Sequence, residues 1–449
     1  MVASRHMRRA VRIRHQFGFW LAFWTVVGLV IRVASVLGRP HRRAAGDPGY
    51  FYGVAKLFVN GHGFINPIIM AGSHKAVQTA SFPPLWIFLL VIPTALGFHS
   101  FFAARIFSCI VGAAGVAMSG VAGREIAGRR VGLIVACLMA VYPNVWDNAE
   151  IVAMETLTPL LVALVLYTTY RFWREPSMRN AVYAGLALGV AALGRDELVV
   201  LVGLIFIPLA LLARGLVRRR RLLLAAVGVG VSLLTVMPWV TFNLTRFDKP
   251  VFISTGLGTT LASANCDLTY HGWFEGFWSY RCQNATGKNP LADEAFNDAH
   301  DRSYALRYIT THKRRLAVVM VARVGRGFGF YRPRQQIIFD WFIETRPWWW
   351  AFAGLYMYYG LLVLSVGGLI VLRRRRTIVF PLLMVGVDVV LSMIVTFGQT
   401  RYRAPFESCL VILAAVQLDW MWGKLGRRFR RAEVTGESAE QPRTPQLVP

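Results

Sequence analysis

Negative charge is scarce in this sequence. Only 23 Asp and Glu stand against 50 Lys and Arg, and charged residues of both signs fill 16% of the 449 positions while hydrophobic ones fill 55%. That is too little charge to coat a soluble globule of this size, so a water-soluble fold is excluded and lipid must act as solvent. The formal charge of +27 does not point to nucleic acid, because the Lys and Arg sit in short loops beside apolar runs. No soluble basic domain exists to hold a duplex or a single strand. Also missing are a Walker loop, a GxGxxG after a strand, an HExxH, a DxD and a paired CxxC. Nucleotide-driven and zinc chemistry are left without their usual signatures. No repeat of fixed period is evident, and inverted halves of the transporter kind are not obvious.

What is present is a succession of apolar runs from Phe17 to Trp422, most near the ~20 residues that span a bilayer. The basic clusters at Arg5 to Arg14, Arg124 to Arg130, Arg171 to Arg179, Arg214 to Arg221, Arg373 to Arg376 and Arg427 to Arg431 fall between runs, and the positive-inside rule puts each in the cytoplasm. With both termini there, the crossings read 17–37, 101–122, 131–148, 150–170, 181–195, 197–213, 222–242, 347–372, 377–397 and 405–422. The stretch 82–97 is short, opened by Pro83 and Pro84 and interrupted by Pro93; a re-entrant or interfacial helix fits the charges, and a full crossing stays open. The expected class is an all-α polytopic membrane protein of about ten to eleven transmembrane helices in a plasma membrane. A basic N-terminus, 1–16, precedes the embedded domain, 17–422, and a polar, disordered tail, 423–449, follows it. The first run, too long and too aromatic for a signal-peptide core, reads as a retained helix that also serves as insertion signal.

Two outside segments, 38–81 and 243–347, are too long to be plain connectors, and function belongs there. The second holds Cys266 and Cys282, the only two of five cysteines placed in an oxidising compartment. A bridge between them would be worth roughly 3 kcal/mol. Cys109, Cys137 and Cys409 lie in helices as packing residues. From Asp293 to Arg334 an amphipathic helix leads into a basic, Gly-interrupted segment, suited either to an outer membrane surface or to a cap over the bundle.

Charged residues at the outer ends of helices need a reason, since charge in or near lipid is expensive. Asp47, in GDPGYFYGVAKLFVNGHGF, follows the first crossing. Its carboxylate suits a base that takes a proton from an acceptor hydroxyl, or a helix cap with Pro48 in the first turn, and the two roles can coexist. Arg105 in FFAARIF precedes Asp147, Glu150 and Glu155 in YPNVWDNAEIVAMETL. Acids so close together raise one another's pKa unless a cation, Arg105 or a divalent metal ion, stands near. Arg195, Asp196 and Glu197 form a further cluster. Arg401 and Arg403, in the outer loop GQTRYRAPFE, run against the positive-inside trend. Their guanidinium forks suit a phosphate, and equally suit loop carboxylates or lipid headgroups.

Taken in order, these segments resemble the GT-C membrane glycosyltransferases that use polyprenyl-phosphate sugars, a group that includes protein O-mannosyltransferases and the lipid A aminoarabinose transferases. The resemblance rests on the Asp47 segment, FPPLWIFLL, AARIFSCIVGAAGV, GREIAGRRVGLIVACLMAVYP, METL, GLALGVAALGRDEL, MPWVTFNLTRFDKPVFISTGLG and GQTRYRAPFE. It implies inverting transfer of a sugar at the extracytoplasmic face from a polyprenyl-phosphate donor to an acceptor hydroxyl. Asp47 matches the family's first-loop acid, the base or acceptor-positioning residue; Glu155 matches a second acidic position, and Arg105 a basic residue near the donor phosphate. Many O-mannosyltransferases carry two adjacent acids where Pro48 follows Asp47 here, which weakens the case for a protein acceptor against a glycan or glycolipid.

Such chemistry needs neither nucleotide pocket nor strong general acid, because a lipid phosphate is already an acidic leaving group that asks only for cationic stabilisation. The competing reading is a transporter or flippase for a lipid-linked or anionic solute. That reading calls for broken helices and ionisable residues near the midplane.

Overall fold

The computed structural model describes residues 2–437, with side chains over residues 16–425. Among the described residues the chain is helical, apart from turns and one isolated β-bridge between Ile65 and Gln78. The first helix, α1 (Val2–Leu37), is followed outside by α2 (Gly46–Val59), α3 (Pro67–Ser73) and α4 (Pro84–Ala95). Then come α5 (Phe101–Ala127), α6 (Arg129–Val141), α7 (Pro143–Glu150), α8 (Thr158–Arg174), α9 (Met178–Gly194), α10 (Ile207–Leu211) and α11 (Arg218–Leu244). The large outer segment folds into α12 (Gly256–Ala264), α13 (Asp267–Tyr270), α14 (Tyr280–Asn284), α15 (Glu294–Thr311), α16 (Lys313–Gly327) and α17 (Pro333–Glu344). Three long helices close the chain: α18 (Trp348–Arg374), α19 (Phe380–Val395) and α20 (Ala404–Glu437).

Among the described residues, five helical stretches are long and apolar enough to cross a membrane: Gln16–Leu37, Phe101–Ala127, Arg218–Leu244, Trp348–Arg374 and Thr400–Leu425. The pair α6 and α7, bent by 51° where Pro143 breaks the hydrogen-bond ladder, makes a sixth if it is one span. The chain is thus a multi-pass membrane protein. The run read as 150–170 begins its helix at Thr158, after an irregular turn, and the run read as 197–213 is broken. It passes through a 3-10 turn, Asp196–Val199, and a π turn, Val202–Phe206, beside Pro208, which has no N–H to give to a regular ladder. Helix α4 has 12 residues; at a rise of about 1.5 Å per residue it is about 18 Å long, short of a ~30 Å hydrocarbon core.

Small residues let the helices approach closely. A Cβ on Gly185 of α9 would lie 2.4 Å from the Gly228 carbonyl oxygen of α11, and one on Gly368 of α18 would lie 1.8 Å from that of Leu413 in α20. Chain alternation gathers the basic junctions at one end of the bundle. There Arg174 pairs with Glu125 at 3.0 Å, and the Tyr170 hydroxyl donates to the Ile378 carbonyl at 2.6 Å. The opposite end carries the acidic segments and the outer helices. Helix α16 docks on that end through Arg323, which donates to the carbonyls of Ala264 (2.8 Å) and Ile394 (2.9 Å) and to Asn265 Oδ1 (2.9 Å). The stretch from Asp293 to Arg334 is therefore seated on the bundle as a cap. Helix α20 continues to Glu437, into part of the segment expected to be disordered, and residues 438–449 lie outside the described ones.

Candidate active site

The first acidic residue reaches its place through a glycine. Gly46, at φ 59°, turns the chain into α2, and Asp47 and Pro48 fill the first turn. Ala45 is the N-cap and no side chain caps this helix, so Asp47 is free of the capping role. Its Oδ2 accepts a hydrogen bond from Arg401 Nη1 at 2.7 Å. Arg401 lies in a 3-10 turn, Thr400–Arg403, between α19 and α20. The same guanidinium faces Glu344 Oε1 at 3.9 Å and, through Nε, Glu155 Oε1 at 4.0 Å. Arg401 thus stands among three carboxylates, Asp47, Glu155 and Glu344.

Glu155 is brought to the cavity by a strained turn. Val152 takes φ 60°, a costly conformation for a β-branched residue, and its carbonyl accepts from Trp86 Nε1 at 3.1 Å. A 3-10 turn, Met154–Thr156, follows and presents the buried Glu155 to Arg195 Nη1 at 3.4 Å. Arg195 also binds Glu197 and lies over the Tyr402 ring, 5.5 Å from its centroid.

Glu344, at the end of α17, was not singled out from the sequence. It accepts from Arg346 Nε at 2.5 Å and from Gln399 Nε2 at 2.7 Å. Although burial works the other way, Arg346, Arg401 and Arg42 keep its carboxyl below the ordinary value. Arg346 carries the network on to Asp147 Oδ2 (2.6 Å) and Asn148 Oδ1 (2.8 Å).

Around these groups lies a cavity of about 630 Å³. Asp47, Glu155 and Arg401 line it, with Arg42, Arg43, Glu344, Arg346 and Tyr402 beside them. Arg42 is taken by Glu150, at 2.6 Å, but among the described residues Arg43, exposed at the mouth, makes no ion pair. The far wall comes from the outer segment. Trp278 and Tyr280 stand edge to face, 4.6 Å apart, within the stretch closed by a Cys266–Cys282 disulfide whose Cα atoms are 5.9 Å apart. Beyond them Glu294 accepts the Ala80 N–H at 2.7 Å and the Ser81 hydroxyl, and burial raises its pKa. Three buried polar atoms on lining residues, Thr255 Oγ1, Trp278 Nε1 and Gln399 Oε1, have no partner among the described residues.

The other candidates are elsewhere. Arg105 is fully buried: it donates to the Glu150 carbonyl (2.9 Å) and carboxylate and to the Arg39 carbonyl (2.7 Å), and neither it nor Glu150 reaches the cavity. Arg403 lies over the Tyr358 ring at 3.5 Å, pairs with Glu407 at 2.6 Å and faces a separate recess of about 40 Å³, which Asp147 shares. Asp196 accepts from the Ser254 hydroxyl at 2.5 Å, outside the cavity. Among the described residues, no three His, Cys, Asp or Glu side chains converge closely enough to hold a metal ion.

Residues 81–242 match the family model described as dolichyl-phosphate-mannose-protein mannosyltransferase. No curated protein matches the chain. Among solved structures, the Archaeoglobus fulgidus oligosaccharyltransferase AglB, in complex with an inhibitory peptide and a dolichol-phosphate, superposes with a TM-score of 0.57 at 16% identity, over 97% of this chain and 53% of its own. The same enzyme in complex with Zn and sulfate gives 0.55 at 15% identity, over 94% and 52%. ArnT from Cupriavidus metallidurans bound to undecaprenyl phosphate gives 0.44 at 16% identity, over 95% and 81%. The chain spans about half the length of the archaeal enzyme.

Proposed function

From the GT-C fold that this chain carries, we infer a membrane glycosyltransferase that moves a sugar from a polyprenyl-phosphate donor to an acceptor hydroxyl, with Asp47 as base. The observation that carries the reading is the cavity end on which Asp47 opens. One of its oxygens is held by Arg401, and the other accepts no hydrogen bond from any described residue. Asp47 Oδ1 is thus the carboxylate oxygen available to take the proton of an acceptor hydroxyl. As that proton leaves, the acceptor oxygen attacks the anomeric carbon and the bond from that carbon to the phosphate oxygen breaks. The lipid phosphate departs with the electron pair. A single displacement by one base inverts the configuration at that carbon.

Charge developing on the leaving phosphate needs a cation that is not already paired, and Arg43 at the cavity mouth meets that requirement. Arg105, enclosed with Glu150, instead braces the wall. The partnerless Trp278 Nε1 and Gln399 Oε1 suit a polyhydroxylated ligand, which offers both acceptors and donors. Neighbours of the same fold are described with dolichol-phosphate and an inhibitory peptide bound; a lipid phosphate donor fits the arginine-lined mouth here. Because the basic junctions lie at the other end of the bundle, the positive-inside rule favours an extracytoplasmic site with both termini inside.

The test is transfer of radiolabelled sugar from a short-chain polyprenyl-phosphate donor, in membranes carrying wild type or Asp47→Asn at matched expression. Transfer by the wild type that disappears in the variant supports the reading. Equal transfer by both removes Asp47 from the chemistry, and transfer by neither across a panel of sugars removes the transferase.

A further inference from the structure

Three carboxylates from three distant segments, Asp47, Glu155 and Glu344, meet a single guanidinium at 2.7, 4.0 and 3.9 Å. Acids gathered in this way are the usual invitation to a divalent ion, which neutralises them and holds them in register. Here the space between them is already filled. A divalent cation bound by oxygen requires its ligands at ~2.0–2.6 Å from one point, whereas these acids are arranged around the planar fork of Arg401. No three of the described acidic, His or Cys side chains share a point at such range. The residues therefore do not fit a metal ion at this position.

We propose that Arg401 is the resident cation of this centre, a positioning residue that replaces a divalent ion and makes sugar transfer independent of metal. The proposal rests on the transferase reading above.

The turn around Arg401 is built to hold it. Gln399 donates to Glu344 at 2.7 Å, Thr400 donates to Asp340 Oδ2 at 3.0 Å, and Tyr402 lies beneath the Arg195 guanidinium. Each of these neighbours of Arg401 in sequence thus ties the loop to the side chain of another element, and the guanidinium is left to the three acids. By occupying Asp47 Oδ2 it orients Oδ1 toward the cavity. A guanidinium stays charged over the whole working range, so it balances the acids without the pH and concentration dependence of a bound ion.

The experiment uses the full-length protein in lipid nanodiscs, as wild type, Arg401→Lys, Arg401→Ala and the double variant Asp47→Asn with Arg401→Ala. Two quantities are read: Mn²⁺ bound, by electron paramagnetic resonance, and sugar transfer with EDTA or with added Mn²⁺. Wild type is expected to bind no stoichiometric Mn²⁺ and to keep its transfer rate in EDTA. Arg401→Ala should lose transfer by ~10²–10³-fold, the usual cost of removing one electrostatic contact in an active site. It should then take up one Mn²⁺ in the vacated centre and regain part of its rate, while the double variant binds none. Arg401→Lys, which restores charge without the fork, should fall between.

Wild-type transfer that collapses in EDTA, with Mn²⁺ bound in an Asp47-dependent manner, overturns the proposal. So does an Arg401→Ala protein that is folded, by an unchanged melting curve, yet binds no Mn²⁺, since the three acids would then not form one centre. Absence of wild-type transfer under every condition defeats the transferase reading instead, and the Mn²⁺ measurement still decides whether Arg401 fills a cation site.

Discussion

Asp47 Oδ2 and Arg401 Nη1 lie 2.7 Å apart, although 354 positions of sequence separate them. The contact ties the first turn of the first outer helix to the turn that opens the last membrane helix, so the chain closes on itself at the cavity. Asp47→Asn keeps the shape and one acceptor oxygen but removes the base. Its expected effect is a loss of ~10²–10⁴-fold in kcat, the range for one general base, with the donor KM little moved. Steady-state kinetics on a short-chain donor separate the two quantities; a pure KM effect would make Asp47 a binding group.

In the proposed reading Arg43 takes the place beside the donor phosphate that the resemblance gave to Arg105, and variants of the two should differ in kind. Arg43 is exposed at the cavity mouth and makes no ion pair among the described residues, so Arg43→Ala should leave the melting temperature alone. Its donor KM should rise ~10-fold or more, as expected for one charge-assisted hydrogen bond. Arg105→Ala removes one of the guanidiniums around the buried Glu150, together with its hydrogen bonds to the Glu150 and Arg39 carbonyls, and leaves Arg42 as the remaining close partner; losing a buried charge-assisted contact of this kind costs ~1.5–3 kcal/mol. A lower melting temperature and yield, rather than a kinetic defect in the surviving protein, is the expected result.

The close approach of α18 and α20 makes a prediction about packing. A side chain at Gly368 meets the Leu413 backbone, whereas one at Gly360, on the same helix, meets nothing within 4 Å. Gly368→Leu should therefore force the two helices apart and lower the melting temperature by several degrees, while Gly360→Leu should be silent. Thermal unfolding of both in one detergent is the comparison; equal shifts would mean that the helices do not approach at Gly368.

The membrane character and the positions of most helices were legible in the sequence, because twenty-residue apolar runs and basic junctions follow directly from what lipid and membrane potential demand. Asp47, Glu155 and Arg401 were legible too, as charges stranded at helix ends. Glu344 and Arg43 were not. Glu344 lies in a largely apolar, aromatic stretch, IIFDWFIETRPWWW, inside the long outer segment, where nothing local says which charges it will meet, and only the folding of α17 back onto the bundle buries it. Arg43 is one of a run of arginines after the first helix, and nothing local says that Arg42 and Arg39 are turned toward Glu150 while Arg43 is left unpaired. Arg105 misled for the converse reason: its charge at a helix end was real, but its partner Glu150 arrives from a separate helix. Pairings made by tertiary contact leave no periodic trace.

Asp340 supplies a pH dependence with a definite sign. It is buried on α17, accepts from Gln336 Nε2 (2.9 Å) and Thr400 (3.0 Å), and faces Glu344 and Arg346. Burial, with the charge of Glu344, pushes its carboxyl up from 3.8 to about 7, although Arg346 and the two hydrogen bonds oppose the rise. Between those values the folded protein holds on this group a proton that the unfolded chain has released. The stability it contributes is complete below the unfolded value and is lost as pH rises through the folded one, at up to about 1.4 kcal/mol per pH unit. Glu344, whose pKa is lowered, acts at more acidic pH, below its ordinary 4.5. In Asp340→Asn the group no longer titrates and the protonated shape is retained. The variant should gain on the wild type in melting temperature from pH 5 to pH 7 and hold that advantage above. Parallel melting profiles over that interval would mean that Asp340 is ionised in the folded protein, with Arg346 prevailing over burial.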